Sequence, residues 1–432
     1  MQKPTLKREL GLFHTTTIGV GLILGAGIYV LLGEASGYAG NSVWLSFLIS
    51  AVVALFTGFS YAELSSMFPK DSAEYVYTEQ SFGKMLAFFV GYFVILATII
   101  SASTVAIGFA GYFGALFGIE ALTLTAIVVI VVFSIMNLLS VKLSSWTNII
   151  FTAMEVLGLL IIIVLGFSKV GSVSYTEMPY GFAGVFKASA LVFFAFLGFE
   201  SVVKLSEECK DPRKNIPRAL LLSIVITTVL YIIVAISAVS ILDWQALSSS
   251  KAPLADAAAT ILGNNAFIVL SVIALFSTAN TVLISLIAAS RALYGIGENY
   301  RLLSPFTAIH EKLRTPHIAI WSVMVIAILF ALIDDIGIIA ELTNFTLFIT
   351  FAFVNAAVIV LRFKMPKEKR EFRVPFTMAK VPVMAVIGFL SCFFLLAQLT
   401  SFIILGGLAL ALTGVLIYGV VMIFERRGQL QK

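Results

Sequence analysis

The stretch Gly21-Leu-Ile-Leu-Gly25-Ala26-Gly27-Ile28-Tyr29 sits inside the first long apolar segment of the chain. Three glycines crowd the middle of a segment long enough to cross a bilayer. Glycine weakens helix there and leaves backbone N–H groups unpaired in a solvent that cannot pair them. Such a break is tolerated only where the bare backbone is buried in protein or lines a cavity, as it does around transported substrates. The first span therefore reads as part of a binding site.

The rest of the chain makes that first span one of many. Of the 432 residues, 60% are hydrophobic and only 12% charged, too apolar for a soluble domain to cover its own surface. Continuous apolar runs recur, each long enough to span about 30 Å of hydrocarbon. They predict an all-α membrane protein with twelve transmembrane helices at about 15–34, 42–66, 84–114, 121–140, 147–167, 184–206, 217–242, 265–295, 317–334, 338–361, 381–398 and 401–424. The runs are continuous rather than alternating, which excludes a β-barrel. The first span is too long, and lacks the small-residue site, for a cleavable signal peptide.

Basic residues orient the bundle. Lys3, Lys7 and Arg8 precede span one, Lys210, Arg213, Lys214 and Arg218 follow span six, and Arg301, Lys312 and Arg314 follow span eight. Arg362, Lys364, Lys367, Lys369, Arg370 and Arg373 follow span ten, and Arg426 and Arg427 follow span twelve. Only Lys169, Lys187 and Lys251 fall on the other side, which leaves 25 of the 28 basic residues on one face. The positive-inside bias then predicts a multi-pass protein of the cytoplasmic membrane with both termini in the cytoplasm. Topology accounts for the net charge of +5 and leaves nothing to suggest nucleic acid. Trp44, Trp146, Trp244 and Trp321 lie near span ends, as an interfacial belt expects. All 11 prolines fall in loops or at helix margins, so helix breaks must come from glycine. Cys209 and Cys392 are isolated, and His14, His310 and His317 sit at span margins, so neither set suggests a metal or a cofactor. There is no phosphate-cradling glycine loop, which argues against direct coupling to ATP.

Charges inside spans carry more information, because each costs about 2.5–3.5 kcal/mol to insert. Glu155 lies eight residues into span five, about 12 Å along the helix and near the midplane. Glu200 lies in span six, within Phe193-Phe-Ala-Phe-Leu-Gly198-Phe-Glu200-Ser201, where a glycine and a carboxylate interrupt an aromatic run. A structural hydrogen bond between helices is the competing explanation for each residue. Asp334-Asp335, at the turn after span nine, reads as solvated. The interruption near Gly198 follows the Gly25–Gly27 break by about 170 residues and five spans. Corresponding breaks in two halves point to an inverted-repeat transporter with its site at the midplane.

These residues resemble a known family. Gly25-Ala26-Gly27-Ile28 resembles the Gly-Ser/Ala-Gly-Ile signature of the amino acid–polyamine–organocation (APC) superfamily of permeases. Phe196-Leu-Gly198-Phe199-Glu200-Ser201, with Glu207-Glu208, Asp211-Pro212 and Asn215-Ile216-Pro217-Arg218 behind it, is similar to the span-six signature and its cytoplasmic tail. Tyr61-Ala62-Glu63-Leu64, Pro69 and Tyr75-Val-Tyr77 resemble the first cytoplasmic loop, and Ser290-Arg291-Ala-Leu-Tyr294, Pro305 and Thr315-Pro316 the end of span eight. The matches run in order from residue 7 to about 320, and the resembling branch is that of prokaryotic permeases akin to cationic amino acid transporters.

The resemblance implies a leucine-transporter-like 5+5 inverted repeat, about 10–170 and about 180–362, plus two peripheral helices at about 380–424. It places substrate against Gly25, Ala26 and Gly27 of span one and Ala195 and Gly198 of span six. The amides of Ala26 and Gly27 would take the α-carboxylate, and the carbonyls of Ile23, Phe194 and Leu197 the α-ammonium group. A half-helix N-terminus, with its free N–H groups and partial positive charge, suits the first of these roles. Phe194 and Tyr92 are the implied aromatic gates. Thr152-Ala-Met-Glu155-Val-Leu-Gly158 departs from the family, many of whose members carry a lysine where Glu155 stands. A carboxylate there can cycle between neutral and charged forms or help hold a cation. Ser277, Thr281 and Ser285 recur on one face of span eight and offer polar partners, although bonding to their own helix is the plainer reading. Glu155, Ser277, Thr281 and Glu200 are thus the expected coupling residues.

The leading expectation is a secondary amino acid transporter working by alternating access, coupled to protons through symport or exchange. The rivals are a polyamine or organic-cation antiporter, a sodium-coupled symporter and a sensor that binds without transport. An enzyme is not expected, since no nucleophile–base set lies within the membrane.

Overall fold

The computed structural model describes residues 8–69, 73–139 and 145–430, and side chains throughout these except at 145–149 and 427–430. Lys3, Lys7 and the side chains of Trp146 and Arg427, named above, lie outside that description. Eight helical segments among the described residues are long and apolar enough to cross a membrane, and five further apolar helices are shorter. The chain is a multi-pass helical membrane protein.

The first apolar segment is two helices. α1 (Leu12–Ile23) stops where Leu24 leaves helical conformation, and α2 (Gly27–Ala39) restarts after Gly25 and Ala26. α3 (Val43–Met67) follows, then a short α4 (Ala73–Phe82), the long α5 (Lys84–Phe117), α6 (Leu122–Leu138) and α7 (Ser145–Phe167). The sixth segment is also broken. α8 (Gly181–Val192) tightens into a 3-10 turn at Phe193–Phe196, the chain reverses at Gly198, and a second 3-10 stretch runs from Phe199 to Leu205. α9 (Pro212–Ile241) begins earlier than the expected 217, so Pro217 lies inside its second turn rather than at its margin. Two short helices, α10 (Trp244–Ser249) and α11 (Pro253–Leu262), fill a connection that the hydropathy pattern left as loop. α12 (Asn264–Gly297), α13 (His317–Ala331), α14 (Ile336–Lys364), α15 (Val383–Leu396) and α16 (Ser401–Leu430) complete the chain.

α1 and α3 pack on α9, α2 packs on α8, and α5 and α12 run side by side along the other flank. Asp335 is exposed, as expected, and its Oδ1 caps α14 by accepting from Ile338 N–H at 2.8 Å. One buried polar network ties distant parts of the chain together. Glu63, 1% exposed on α3, accepts from Arg362 Nε and Nη2 at 2.6 Å each, from Arg370 Nε at 3.0 Å and from Val374 N–H at 2.8 Å. Two guanidinium groups around one carboxylate are stable in an apolar surrounding because each of their nitrogens meets an acceptor, Arg362 Nη1 at Thr377 Oγ1 and Arg370 Nη1 at Glu368 O among them. Arg362 and Arg370, counted above as topology charges, are therefore also the fastening of the α14–α15 connection beneath α3.

Candidate functional site

The two breaks meet. Gly27 approaches Ala195 so closely that a Cβ on it would stand 2.6 Å from Ala195 Cα. Gly198, at φ 110°, lies against α1, and a Cβ there would stand 2.1 Å from Leu22 O. Glycine is required at both positions, at Gly27 for close approach and at Gly198 for close approach and a left-handed backbone. The broken segments thus interlock, each through its glycine.

Beside the breaks lies a cavity of about 690 Å³. Ile23, Gly25, Ala26, Gly27, Phe194, Ala195, Leu197, Gly198, Glu155, Glu200 and Thr281 all line it, so the structure brings together nearly every residue singled out from sequence. From the breaks the lining continues past Thr17 and Ile18 of α1, Ala288 of α12, Lys204, and Tyr61 and Glu74 at the end carrying α4. The other side of the breaks is closed by fully buried tyrosines. Tyr112 Oη donates to Tyr29 O at 2.9 Å, and Tyr29 Oη donates to Glu155 O at 2.6 Å. Gly158 makes that last contact possible, since a Cβ there would stand 2.4 Å from Tyr29 Oη.

Tyr92 is a correction. Its hydroxyl bonds Thr413 Oγ1 at 2.5 Å and Leu410 O at 3.2 Å, so it packs against α16 and does not line the cavity. Ser277 also lies outside the lining. Its hydroxyl is buried without a hydrogen-bond partner among the described residues, as is Glu155 Oε1, which lies near it. Thr281 Oγ1 donates to Ser277 O at 3.0 Å, the intrahelical bond anticipated above, and accepts from Ala26 N–H at 3.4 Å. The hydroxyl thus meets one of the amides expected to receive a carboxylate.

The three carbonyls expected to accept an ammonium group differ in their occupancy. Ile23 O already accepts from Gly25 N–H at 2.7 Å and Tyr231 Oη at 2.8 Å, and Phe194 O accepts from Leu197 N–H at 3.2 Å. Leu197 O accepts from no group among the described residues.

Tyr231 is the main residue that sequence reasoning missed. From the middle of α9 its fully buried hydroxyl reaches Ile23 O and, at 3.0 Å, Ala195 O, so one proton is shared between carbonyls of the two breaks. The available signal was a lone tyrosine at mid-span, where an unpaired hydroxyl is costly. Tyr231→Phe keeps the ring, which packs edge-on against Phe196 at 5.4 Å, and removes the clasp. Losing a buried donor costs about 1–3 kcal/mol, so transport should fall by about fivefold to a hundredfold, measured as initial uptake at matched protein. Unchanged uptake would show that the interlocked glycines hold the breaks unaided.

Glu200 turns back on its own segment, and its Oε2 accepts from Gly198 N–H at 2.9 Å. The carboxylate pairs the amide that the chain reversal strands. Glu200→Gln retains an acceptor oxygen, whereas Glu200→Ala leaves the N–H unpaired at a cost of about 1–3 kcal/mol. Uptake should rank wild type, then Gln, then Ala; equal uptake by all three would rule out this role.

Comparison with known proteins points to one family. The family profile described as "Amino acid permease" matches residues 10–424. A branched-chain amino acid permease of Bacillus subtilis is 30% identical, with 96% of this chain and 93% of the relative covered. A methylthioribose transporter of the same organism is 31% identical over the same shares. Cationic amino acid transporter 4 of Mus musculus is 30% identical over 83% of this chain, which spans 60% of that longer protein. A match this extensive settles the family: the chain belongs to the amino acid permeases of the APC superfamily and is a transporter, not an enzyme.

Proposed function

We propose that this permease moves amino acids across the cytoplasmic membrane by alternating access, with the two helix breaks as its substrate site. The observation that carries the reading is the meeting of both breaks over one cavity. No side chain caps α2, so the N–H groups of its first turn are available to an anion, and the Thr281 hydroxyl can give up Ala26 N–H to a substrate carboxylate. Leu197 O is the acceptor for the α-ammonium group, ahead of the occupied Ile23 O. Phe194 covers the substrate between these groups.

In this reading the chain has twelve spans, the broken first and sixth (α1 with α2, and α8 with its 3-10 extensions) heading two inverted five-span repeats at about 10–170 and 180–362. α15 and α16 lie outside the repeats. With both termini in the cytoplasm, the cavity opens inward and the tyrosines above the breaks shut the outer side. Glu155 is the coupling group. Burial penalises its charged form, so taking up a proton eases the movement of α7 against α2, to which Tyr29 ties it. A sodium site is the second reading, favoured by Glu155 Oε1, Ser277 Oγ and Asn280 Oδ1, three buried oxygens without hydrogen-bond partners.

Thermal-shift screening of the purified protein tests the substrate class. Amino acids should stabilise it only when the α-carboxylate and α-ammonium groups are both free. Stabilisation by decarboxylated amines alone would favour the organic-cation reading. Stabilisation by methylthioribose alone would favour the sugar carried by the equally similar relative. Binding without uptake in proteoliposomes would indicate a sensor.

A further inference from the structure

The connection between α14 and α15 is held more firmly than a loop requires. Upstream, Glu63 fixes Arg362, Arg370 and the Val374 amide, and Arg370 Nη2 also donates to Leu361 O at 3.1 Å and Met365 O at 3.0 Å. Downstream, Thr377–Met378 pairs antiparallel with Val381–Pro382, and Val383 N–H, the first of α15, donates to Phe376 O at 2.9 Å.

The hairpin between these anchors is strained. Its two tip residues, Ala379 and Lys380, have φ of 47° and 73°, as in a type I′ turn, whose usual occupants are Asn and Gly. Phe376 is also left-handed, at φ 54°. Three non-glycine residues in five hold a backbone that L side chains disfavour. Such strain persists where the surroundings over-determine the chain, and it concentrates in functional segments.

The strained hairpin displays apolar surface beside charge. Phe376 is 71% and Met378 72% exposed, at the foot of a helix whose Leu390 and Phe393 also point outward. Arg373 and Lys380 are exposed and form no ion pair among the described residues. Two large apolar side chains between two cations, joined directly to a membrane helix, match the acyl-chain boundary on one side and phosphate on the other.

We propose that hairpin 376–382 is a lipid anchor, with Phe376 and Met378 inserted beneath the headgroups and Arg373 and Lys380 binding anionic phospholipid. A fluorophore on Thr377→Cys, with lipids carrying a nitroxide just below the headgroup, reports its depth; the native Cys209 and Cys392 are buried. In nanodiscs of phosphatidylcholine the probe should be quenched, and more strongly in an equimolar mixture with phosphatidylglycerol. Arg373→Gln with Lys380→Gln should abolish that enhancement, leaving quenching in the mixture equal to that in phosphatidylcholine alone. Phe376→Ser with Met378→Ser should lose quenching in both lipids. A probe unquenched in either lipid, or a phosphatidylglycerol response unaltered by removing the two cations, would overturn the proposal.

Discussion

Gly27→Val should abolish uptake at matched expression while the protein still inserts and can be purified. A Cβ at this position would lie 2.6 Å from Ala195 Cα and 3.1 Å from Ala195 Cβ. The obstacle is main chain, which cannot swing aside like the end of a long side chain. Valine adds two further carbons, and overpacking of this kind costs about 1–3 kcal/mol or more. The cost falls where the breaks interlock, so α2 must separate from Ala195 and the groups proposed to hold substrate lose register. Uptake should drop by about a hundredfold or more, about 2.8 kcal/mol or above on the transport step. Gly91→Ala in α5 is the control, because its Cβ would meet Ile296 and Tyr75 only at ordinary contact distances of 3.4 and 3.7 Å. Gly25→Ala, 3.5 Å from Thr281 Oγ1, should likewise keep thermal stability. Wild-type uptake by Gly27→Val would remove the break from the site.

The contrast between Gly25 and Gly27 marks how far the sequence could be read. Three glycines in one span announced a break, and Gly198 announced its counterpart, because bare backbone in a bilayer has few physical outcomes. Which glycine touches the opposite break depends on how two helices interlock, and no local pattern carries that. Tyr92 shows the same limit. Resemblance alone pointed Tyr92 at the substrate, whereas it packs against α16 and the cavity is met by Val94, Ala97, Thr98 and Ser101 of the same helix. Tyr231 was passed over for the converse reason: its one signal, a hydroxyl that must find a partner at mid-span, names no partner until it is seen on Ile23 O and Ala195 O. Glu63 stood within a quoted motif, yet its partner Arg362 lies 299 residues away and had a sufficient explanation as a topology charge. Periodicity and composition identify what must be buried, and only packing reveals against what.

Glu155→Gln should uncouple transport. The residue is 2% exposed, its Oε1 has no hydrogen-bond partner among the described residues, and its backbone carbonyl is held by Tyr29 of α2. An ionised carboxylate in that position must bear its desolvation with little compensation, and a protonated one does not. In the coupling proposed above, proton binding changes the energy of this arrangement, and substrate movement that alters the α2–α7 contact is linked to proton movement. Glutamine imitates the protonated form permanently. In proteoliposomes an inwardly directed proton gradient should drive wild-type accumulation without sodium. Glu155→Gln should lose that accumulation altogether while exchanging internal for external substrate at a rate within about threefold of wild type, since exchange needs no net change of protonation. Accumulation surviving the substitution would place coupling elsewhere. Accumulation that requires sodium at every pH would instead assign Glu155, with Ser277 and Asn280 of α12, to a cation site, and exchange in Glu155→Gln should then become independent of sodium.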